Sequence, residues 1–335
     1  LYTGGCHYSA GCNSFESECG SKCPQLMSDP HGLVAHLFGK KLEVLGKAKP
    51  LVVTPSVWLK ERAEKSSILR HCNCIAIPNA FPTSEFNYRT PSDIRLMPDI
   101  QKIIGQKRNG DFFVLLAAAS LKDSRKGFEY SVKVLSILRN NLSSEMANRV
   151  RVILLGEPSQ QLIASIPFDV IQTGSIRRSD HLACIYSAAD VLLNTTKEDN
   201  YPNVIIESML CGTPVISFEI GGISEQINSG TGLLVPFGDV AEAAKALVSM
   251  LNGVSLFSSR SAIRDSVEQK HSLDSVAKQH SDAFASHLDD SRSSFDKSIL
   301  SLSNAQKIVK APPVLELSTN NELALSIRPS VQMIE

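Results

Sequence analysis

An excess of charge of one sign is missing from this chain. Its 335 residues carry 34 Lys+Arg against 34 Asp+Glu, so no net field favours a polyanion, and binding to nucleic acid or an anionic membrane loses its simplest support. Long apolar runs are missing too: the longest, Phe112 to Ala119, has eight residues, where a bilayer needs ~20, so no transmembrane helix is expected. Aromatic residues make up 6%, with one Trp, and the eight cysteines are too few for a disulfide scaffold in a chain of this length. Both common phosphate fingerprints are absent. No Gly-x-Gly-x-x-Gly follows a strand pattern and no Gly-x-x-x-x-Gly-Lys-Ser/Thr occurs, which argues against a dinucleotide dehydrogenase and a P-loop NTPase. The opening Leu1-Tyr2-Thr3-Gly4-Gly5 has neither a basic leader nor an apolar core, so no signal peptide is expected, and a start at Leu1 rather than Met reads as a chain cut from a longer one.

What remains is an ordinary globular balance, 43% hydrophobic and 20% charged, long enough for about two domains. Leu51 to Val53, a helical stretch with Trp58, Leu59, Ala63 and Leu69, and Ile75 to Ile77 read as strand, helix, strand. Pro78-Asn79-Ala80-Phe81-Pro82 ends that unit with turn chemistry, and a polar stretch follows to Gly110. From Asp111 apolar runs alternate with helical patterns: Phe113 to Ala118, helix Gly127 to Leu138, Val150 to Leu155, helix Ser179 to Ala188, Val191 to Asn194, helix Asn203 to Cys211, Val215 to Phe218. Gly232 to Pro236 adds a short strand and Val240 to Leu251 a further helix. Runs of Val, Ile and Leu without a polar face predict an α/β fold, a doubly wound parallel sheet covered by helices on both sides. We expect a first domain over 1–88, a linker over 89–110 and a second domain over 111–290. Residues 291–335, serine-rich with Pro312-Pro313 and without sustained periodicity, read as a linker or the severed start of a further region.

Such a sheet binds ligands at the carboxyl ends of its strands, where helix N-termini favour phosphate. After the strand at Phe113 stands Asp123-Ser124-Arg125-Lys126-Gly127, two cations and a glycine at a helix mouth. Guanidinium and ammonium there can neutralise a diphosphate and stabilise it as a leaving group; a solvated basic turn is the plainer alternative. After the strand at Val191 comes Lys197-Glu198-Asp199-Asn200-Tyr201-Pro202-Asn203, opening a helix that carries Glu207 about two turns in. Asp199 and Glu207, eight positions apart, can grip hydroxyls on two parts of one ligand, a sugar ring and a ribose for instance. The alternative makes Asp199 and Asn200 helix caps and Glu207 a surface residue.

The run Asp199-Asn200-x-Pro202-Asn203-x-x-x-Glu207-x-Met209-x-Cys211-Gly212-Thr213-Pro214-Val215 resembles the group 1 (family 4) retaining glycosyltransferases. Arg125-Lys126-Gly127 upstream, with Gly221-Gly222-x-x-Glu225 and Thr231-Gly232-Leu233-Leu234-Val235 downstream, completes three ordered motifs. The resemblance implies a GT-B fold of two Rossmann-like domains, with a donor domain nearly whole over about residues 111–255 and a truncated acceptor domain before it. Thr3-Gly4-Gly5-Cys6-His7-Tyr8-Ser9, Cys19-Gly20-x-x-Cys23-Pro24-Gln25-Leu26 and Ile77-Pro78-Asn79 are similar to members that build cell-surface polysaccharides.

The resemblance gives catalytic roles to Lys126, Arg125 and Asp199, and binding of the nucleotide sugar to Asn200, Tyr201, Asn203, Glu207, Gly221 and Gly222. Lys126 would take the diphosphate, Glu207 the ribose hydroxyls, and Asp199 with Asn200 the sugar. Two departures stand out: the first acid of the pair is Asp199 rather than Glu, and Ser120 stands where the family has an Arg six residues before the lysine, so Arg125 or Lys122 must supply the second cation. The implied reaction transfers a hexose from a UDP- or GDP-linked sugar to a glycan or lipid-linked acceptor with retention, without a cofactor or metal. A non-catalytic nucleotide-sugar-binding segment of a larger multidomain protein is the alternative. Expected partners are the nucleotide sugar, the acceptor and other domains of a longer chain, with no nucleic acid and at most peripheral association at the inner face of the membrane of a cytoplasmic protein. His7 falls too late in its motif for the family's active-site histidine and reads as structural. Cys6, Cys12, Cys19 and Cys23 read as reduced buried thiols, with zinc and a disulfide as the alternatives, and Trp58 and the Phe112-Phe113 pair read as core.

Overall fold

Strands that lack a polar face pack on both sides, and in the computed structural model these runs assemble one parallel sheet with a core above and a core below it. The structure describes residues 2–306 apart from 21, 27, 28 and 30, with side chains through 289. The strands are β1 (Val52–Thr54), β2 (Cys74–Ala76), β3 (Phe112–Ser120), β4 (Val150–Glu157), β5 (Asp169–Gly174), β6 (Val191–Asn194), β7 (Val215–Phe218) and β8 (Gly232–Val235). The longer helices are α1 (Leu33–Ala48), α2 (Val57–Lys65), α3 (Pro91–Arg95), α4 (Pro98–Ile104), α5 (Phe128–Asn140), α6 (Ser144–Ala147), α7 (Gln160–Ser165), α8 (Ser179–Ala188), α9 (Asn203–Leu210), α10 (Val240–Leu251), α11 (Arg260–His271) and α12 (Leu273–Gln306).

β1 and β2 pair in parallel as a two-stranded sheet, and the others form a parallel sheet in the order β5-β4-β3-β6-β7-β8. Alternation along β3 explains how one strand feeds two cores: Phe113, Leu115 and Ala117 enter one, while Phe112, Val114, Leu116 and Ala118 enter the other. The chain runs outward from β3 to β5 on one side and from β6 to β8 on the other. The order therefore reverses between β3 and β6, and the crevice beyond their carboxyl ends is where such a sheet holds ligands.

The described residues up to Phe284 form one compact unit, and those from Ala285 belong to a second. Within the first unit the stretch read as a linker is ordered: a Thr90–Asp93 capping box starts α3, and Ile94, Ile100 and Ile104 of α3 and α4 are buried in the core with Phe113 and Leu115. Prolines at the first position of each helix gave the stretch its loop-like appearance, although proline is at home there. β5 left no sequence signal because it is an edge strand, half-buried, with Asp, Gln and Thr in its six residues. α12 runs past residue 290, and residues 307–335 of the expected terminal linker lie outside the described residues. Among the described residues no helix is long and apolar enough to cross a membrane.

Candidate functional site

The loops that follow β3 and β6 meet at the switch point. Gly127 makes the meeting possible: its φ is +66°, and a Cβ there would lie 2.1 Å from the Thr195 carbonyl oxygen, a clash for any other residue. The Thr195 hydroxyl bonds the Gly127 carbonyl at 2.9 Å, and the Lys197 N–H donates to the Arg125 carbonyl at 2.8 Å. Asp123 caps the short turn by accepting from the Arg125 N–H at 2.9 Å. The turn then aims two cations across the crevice: Lys126 Nζ lies 2.7 Å and Arg125 Nη1 3.2 Å from Oδ2 of the buried Asp199. Arg125 also pairs with Asp123 at 3.0 Å. Lys122 is exposed, so the second cation beside Lys126 is Arg125, and Ser120 at the end of β3 is not replaced from Lys122. With its carboxylate held by both cations, Asp199 keeps the ammonium and guanidinium side by side where a diphosphate can reach them, and its own oxygens are engaged while that pairing lasts.

Asn200 and the glycines lie one step outward. Gly221 (φ +53°) passes so close to Asp199 that a Cβ would sit 2.0 Å from its carbonyl oxygen, and at Gly222 a Cβ would sit 2.0 Å from the Asn200 carbonyl oxygen. These glycines permit a close backbone approach that walls the site. Asn203 is exposed and accepts from the Asn79 amide at 2.8 Å, and the first turn of α9 has no side-chain cap. Glu207, within α9, accepts from the Tyr186 hydroxyl at 2.6 Å, and burial raises its carboxyl above the usual range. Tyr201 sits apart from the others: it is buried in the core, its hydroxyl 3.3 Å from His271 Nε2, and burial raises its phenol. His271, which also contacts the Asn79 carbonyl oxygen, is shifted by burial toward its neutral form. Tyr201 therefore packs the loop rather than lining a cleft.

Residues distant in sequence complete the site. Glu198 Oε2 accepts from the Ala10 N–H at 2.7 Å, and its Oε1 from the Ser9 N–H at 3.1 Å and the Ser9 hydroxyl at 3.2 Å. Glu225 accepts from the Val57 and Trp58 N–H groups, both at 2.7 Å, at the N-terminus of α2, where a carboxylate is also favoured by the helix dipole. The Ser56 hydroxyl donates to Asn200 Oδ1, and the Arg125 guanidinium stacks 4.0 Å over the Tyr8 ring. Between the two sides opens a cleft of about 710 Å³, walled by residues 7–11, Trp58 and Arg62 on one side and by Asp123 to Arg125, Lys197 and Glu198 on the other. Ser9 and Glu198 both stood in segments singled out from sequence, but with 189 positions between them nothing marked them as partners. Glu225 stood in a motif without a role.

Three sequence readings are corrected by the geometry. His7 is exposed on the cleft wall and makes no hydrogen bond among the described residues, so it is not a satisfied structural histidine. Trp58 is half-buried on the cleft and not in the core, whereas Phe112 and Phe113 are core. Cys6, Cys12, Cys19 and Cys23 are free, as read, but half-buried. Cys19 Sγ accepts from the Gly4 N–H at 3.3 Å, and among the described residues no three His, Cys, Asp or Glu side chains are grouped to hold a metal.

Comparison with known proteins places this architecture. The sequence profile described as Glycosyl transferases group 1 matches residues 113–253, the stretch that carries the sheet and the switch-point loops, so this stretch is a group 1 glycosyltransferase domain with the GT-B type of fold. Among curated relatives, a D-inositol 3-phosphate glycosyltransferase of Rhodococcus opacus (strain B4) is 31% identical over 124 residues, 33% of this chain and 28% of the relative. The chain thus matches under a third of that relative's length. Among solved structures, a sucrose-phosphate synthase from Thermosynechococcus elongatus superposes with a TM-score of 0.57 at 22% identity over 71% of this chain and 58% of its own. Anabaena HepE, solved in complex with UDP, superposes with a TM-score of 0.58 at 18% identity, covering 75% and 67%.

Proposed function

We propose that this chain transfers a hexose from a UDP- or GDP-linked sugar to a glycan or lipid-linked acceptor with retention at the anomeric carbon. The observation that carries the reading is the Lys126–Asp199–Arg125 cluster at the switch point of a group 1 domain. Lys126 and Arg125 bind the diphosphate and take up the charge that develops on it as the leaving group. As they turn to the phosphates, Asp199 is released to accept from the sugar hydroxyls with Asn200, while Glu207 accepts from the ribose hydroxyls. Gly221 and Gly222 allow backbone N–H groups close to the ligand, and Tyr201 and Asn203 act at one remove, by packing and by bridging to Asn79. None of these steps calls for a cofactor or metal. HepE in its UDP complex supports the nucleotide as the partner.

The test is direct. Incubated with UDP-glucose or GDP-mannose and a lipid-linked or oligosaccharide acceptor, the chain is expected to release the nucleoside diphosphate and to form a product whose anomeric configuration, read by NMR, equals that of the donor. An inverted product rejects the retaining route. Tight donor binding without release of the diphosphate favours the second reading, a non-catalytic binding segment of a larger protein, which the limited coverage of the curated relative keeps in view.

A further inference from the structure

Among the described residues five charged groups line the cleft, and three of them are ion-paired: Arg125 with Asp123 and Asp199, and Lys197 with Glu129 at 2.8 Å. Glu198 has no ion pair, but its carboxylate is filled by the Ser9 and Ala10 N–H groups and the Ser9 hydroxyl. Arg62 keeps an unfilled donor. Among the described residues it forms no ion pair, and its hydrogen bonds run only to neutral oxygens, Ser9 Oγ at 2.8 Å and Asn13 Oδ1 at 3.4 Å. Its Nε is buried and has no hydrogen-bond partner. The guanidinium is held 5.1 Å over the Phe15 ring and 5.0 Å over the Trp58 ring, so its orientation is fixed before any ligand arrives. Trp58 and Arg62, one turn apart on α2, both face the cleft, and exposed His7 stands on the same wall. A guanidinium without an ion pair on a cleft wall can take up an anionic ligand through its terminal nitrogens.

We propose that Arg62 is an acceptor-binding residue and that the acceptor carries an oxyanion, a phosphate or a carboxylate, which it docks on the Arg62 guanidinium across the cleft from Arg125. The proposal rests on the glycosyltransferase reading and narrows its acceptor class. The planar fork of arginine suits either oxyanion. A lipid-linked acceptor supplies the first and an acidic sugar the second. Nearby Glu198 is kept from competing by its three hydrogen bonds to Ser9 and Ala10.

Trp58 is the chain's single tryptophan, so its fluorescence reports on the site. The full chain, with excess UDP present to fill the diphosphate site, is titrated with inorganic phosphate and, separately, with L-malate at constant ionic strength. We expect a saturable change in Trp58 emission with at least one of the two, weakened about tenfold or more in Arg62→Gln and partly restored in Arg62→Lys. A response to phosphate alone assigns the phosphate source, and an equal or stronger response to malate the carboxylate source. A response absent for both, removed by UDP, or retained by a folded Arg62→Gln with unchanged affinity overturns the proposal. Should Arg62→Gln fail to fold, the comparison of wild type with Arg62→Lys decides, equal affinities counting against it. Calorimetry with UDP separates the two readings. A chain that binds UDP but neither oxyanion loses the acceptor site alone, and one that responds to an oxyanion but does not bind UDP loses the donor reading alone.

Discussion

The two sides of the cleft are held in different ways. The side that carries β3 to β8 has an apolar core on each face of its sheet, and its site loops are fixed by backbone contacts too close for a side chain at Gly127 or Gly221. The side that carries β1 and β2 has one apolar cluster of eight buried residues around three-residue strands, so apolar burial alone gives it little stability. It is positioned instead by polar clasps to the other side: Glu198 on Ser9 and Ala10, Glu225 on the start of α2, Asn200 on Ser56 and Asn203 on Asn79. Under the proposed function, a firmly packed half and a clasped partner half suit closure over substrates and reopening to release them.

The widest gap between the halves is expected in hydrogen exchange. Amides of β3 and β4 should exchange at least ~100-fold more slowly than those of β1 and β2, because opening the smaller cluster breaks few apolar contacts. Uniformly slow exchange across residues 2–80 breaks the comparison. The next effect tests whether the donor half works alone. Lys126→Ala should weaken UDP binding roughly ten- to hundredfold, the equivalent of ~1.5–3 kcal/mol for a charge-assisted contact, and leave uridine binding nearly unchanged. Equal losses for nucleotide and nucleoside in calorimetry would remove Lys126 from the diphosphate site.

The same division explains what could be read from sequence. β6, β7, β8, α8 and α10 follow from local pattern, since a buried parallel strand writes itself as Val, Ile and Leu and an amphipathic helix as a 3.6-residue period. Arg125, Lys126 and Asp199 stand out in sequence because each lies in a loop between a strand and a helix, and the structure brings these three together, whereas Glu207, which stands out as the second acid, bonds Tyr186. The clasps were not legible. A carboxylate that accepts from backbone N–H groups, as Glu198 and Glu225 do, asks nothing of the partner's side chains, so Val57, Trp58 and Ala10 bear no mark of it. Arg62 was missed for a related reason. Its environment comes from Phe15, Trp58 and Ser9, which only the fold assembles.

Loosening a clasp sharpens the comparison from the weaker side. Glu225→Ala removes two hydrogen bonds and a favourable charge from the start of α2, worth ~1–2 kcal/mol by analogy with helix caps. Amides of β1, α2 and β2 should exchange roughly tenfold faster, with β3 and β4 unchanged. The loss of UDP affinity caused by Lys126→Ala should be as large in this background as in the wild type, because sites without shared partners add. Equal acceleration on both sides would mean that the halves open as one unit.

The smallest effect lies within the donor half and turns on the sign of one titration. Burial raises the Glu207 carboxyl above its unfolded value, so the folded state binds a proton more tightly than the unfolded chain. That contribution to stability is fully present below the unfolded pKa, near pH 4.5, and is lost as pH rises through the folded value. Once pH has risen above the folded value the wild type holds a desolvated carboxylate, and Glu207→Gln, which keeps an oxygen to accept from Tyr186, should then be more stable by an amount on the order of 1 kcal/mol or less. The difference should shrink to nothing as pH falls through 4.5, since a protonated Glu and a Gln are then both neutral. The gain in stability should come with a loss of function: the amide accepts more weakly from two ribose hydroxyls, so UDP should bind less tightly to Glu207→Gln while 2′-deoxy-UDP is affected less. Melting curves of both proteins between pH 4 and 8, with calorimetry of the two nucleotides at pH 7, read both effects. A variant that is less stable at every pH would make Glu207 a structural carboxylate, held for its bond to Tyr186 and not for a ligand.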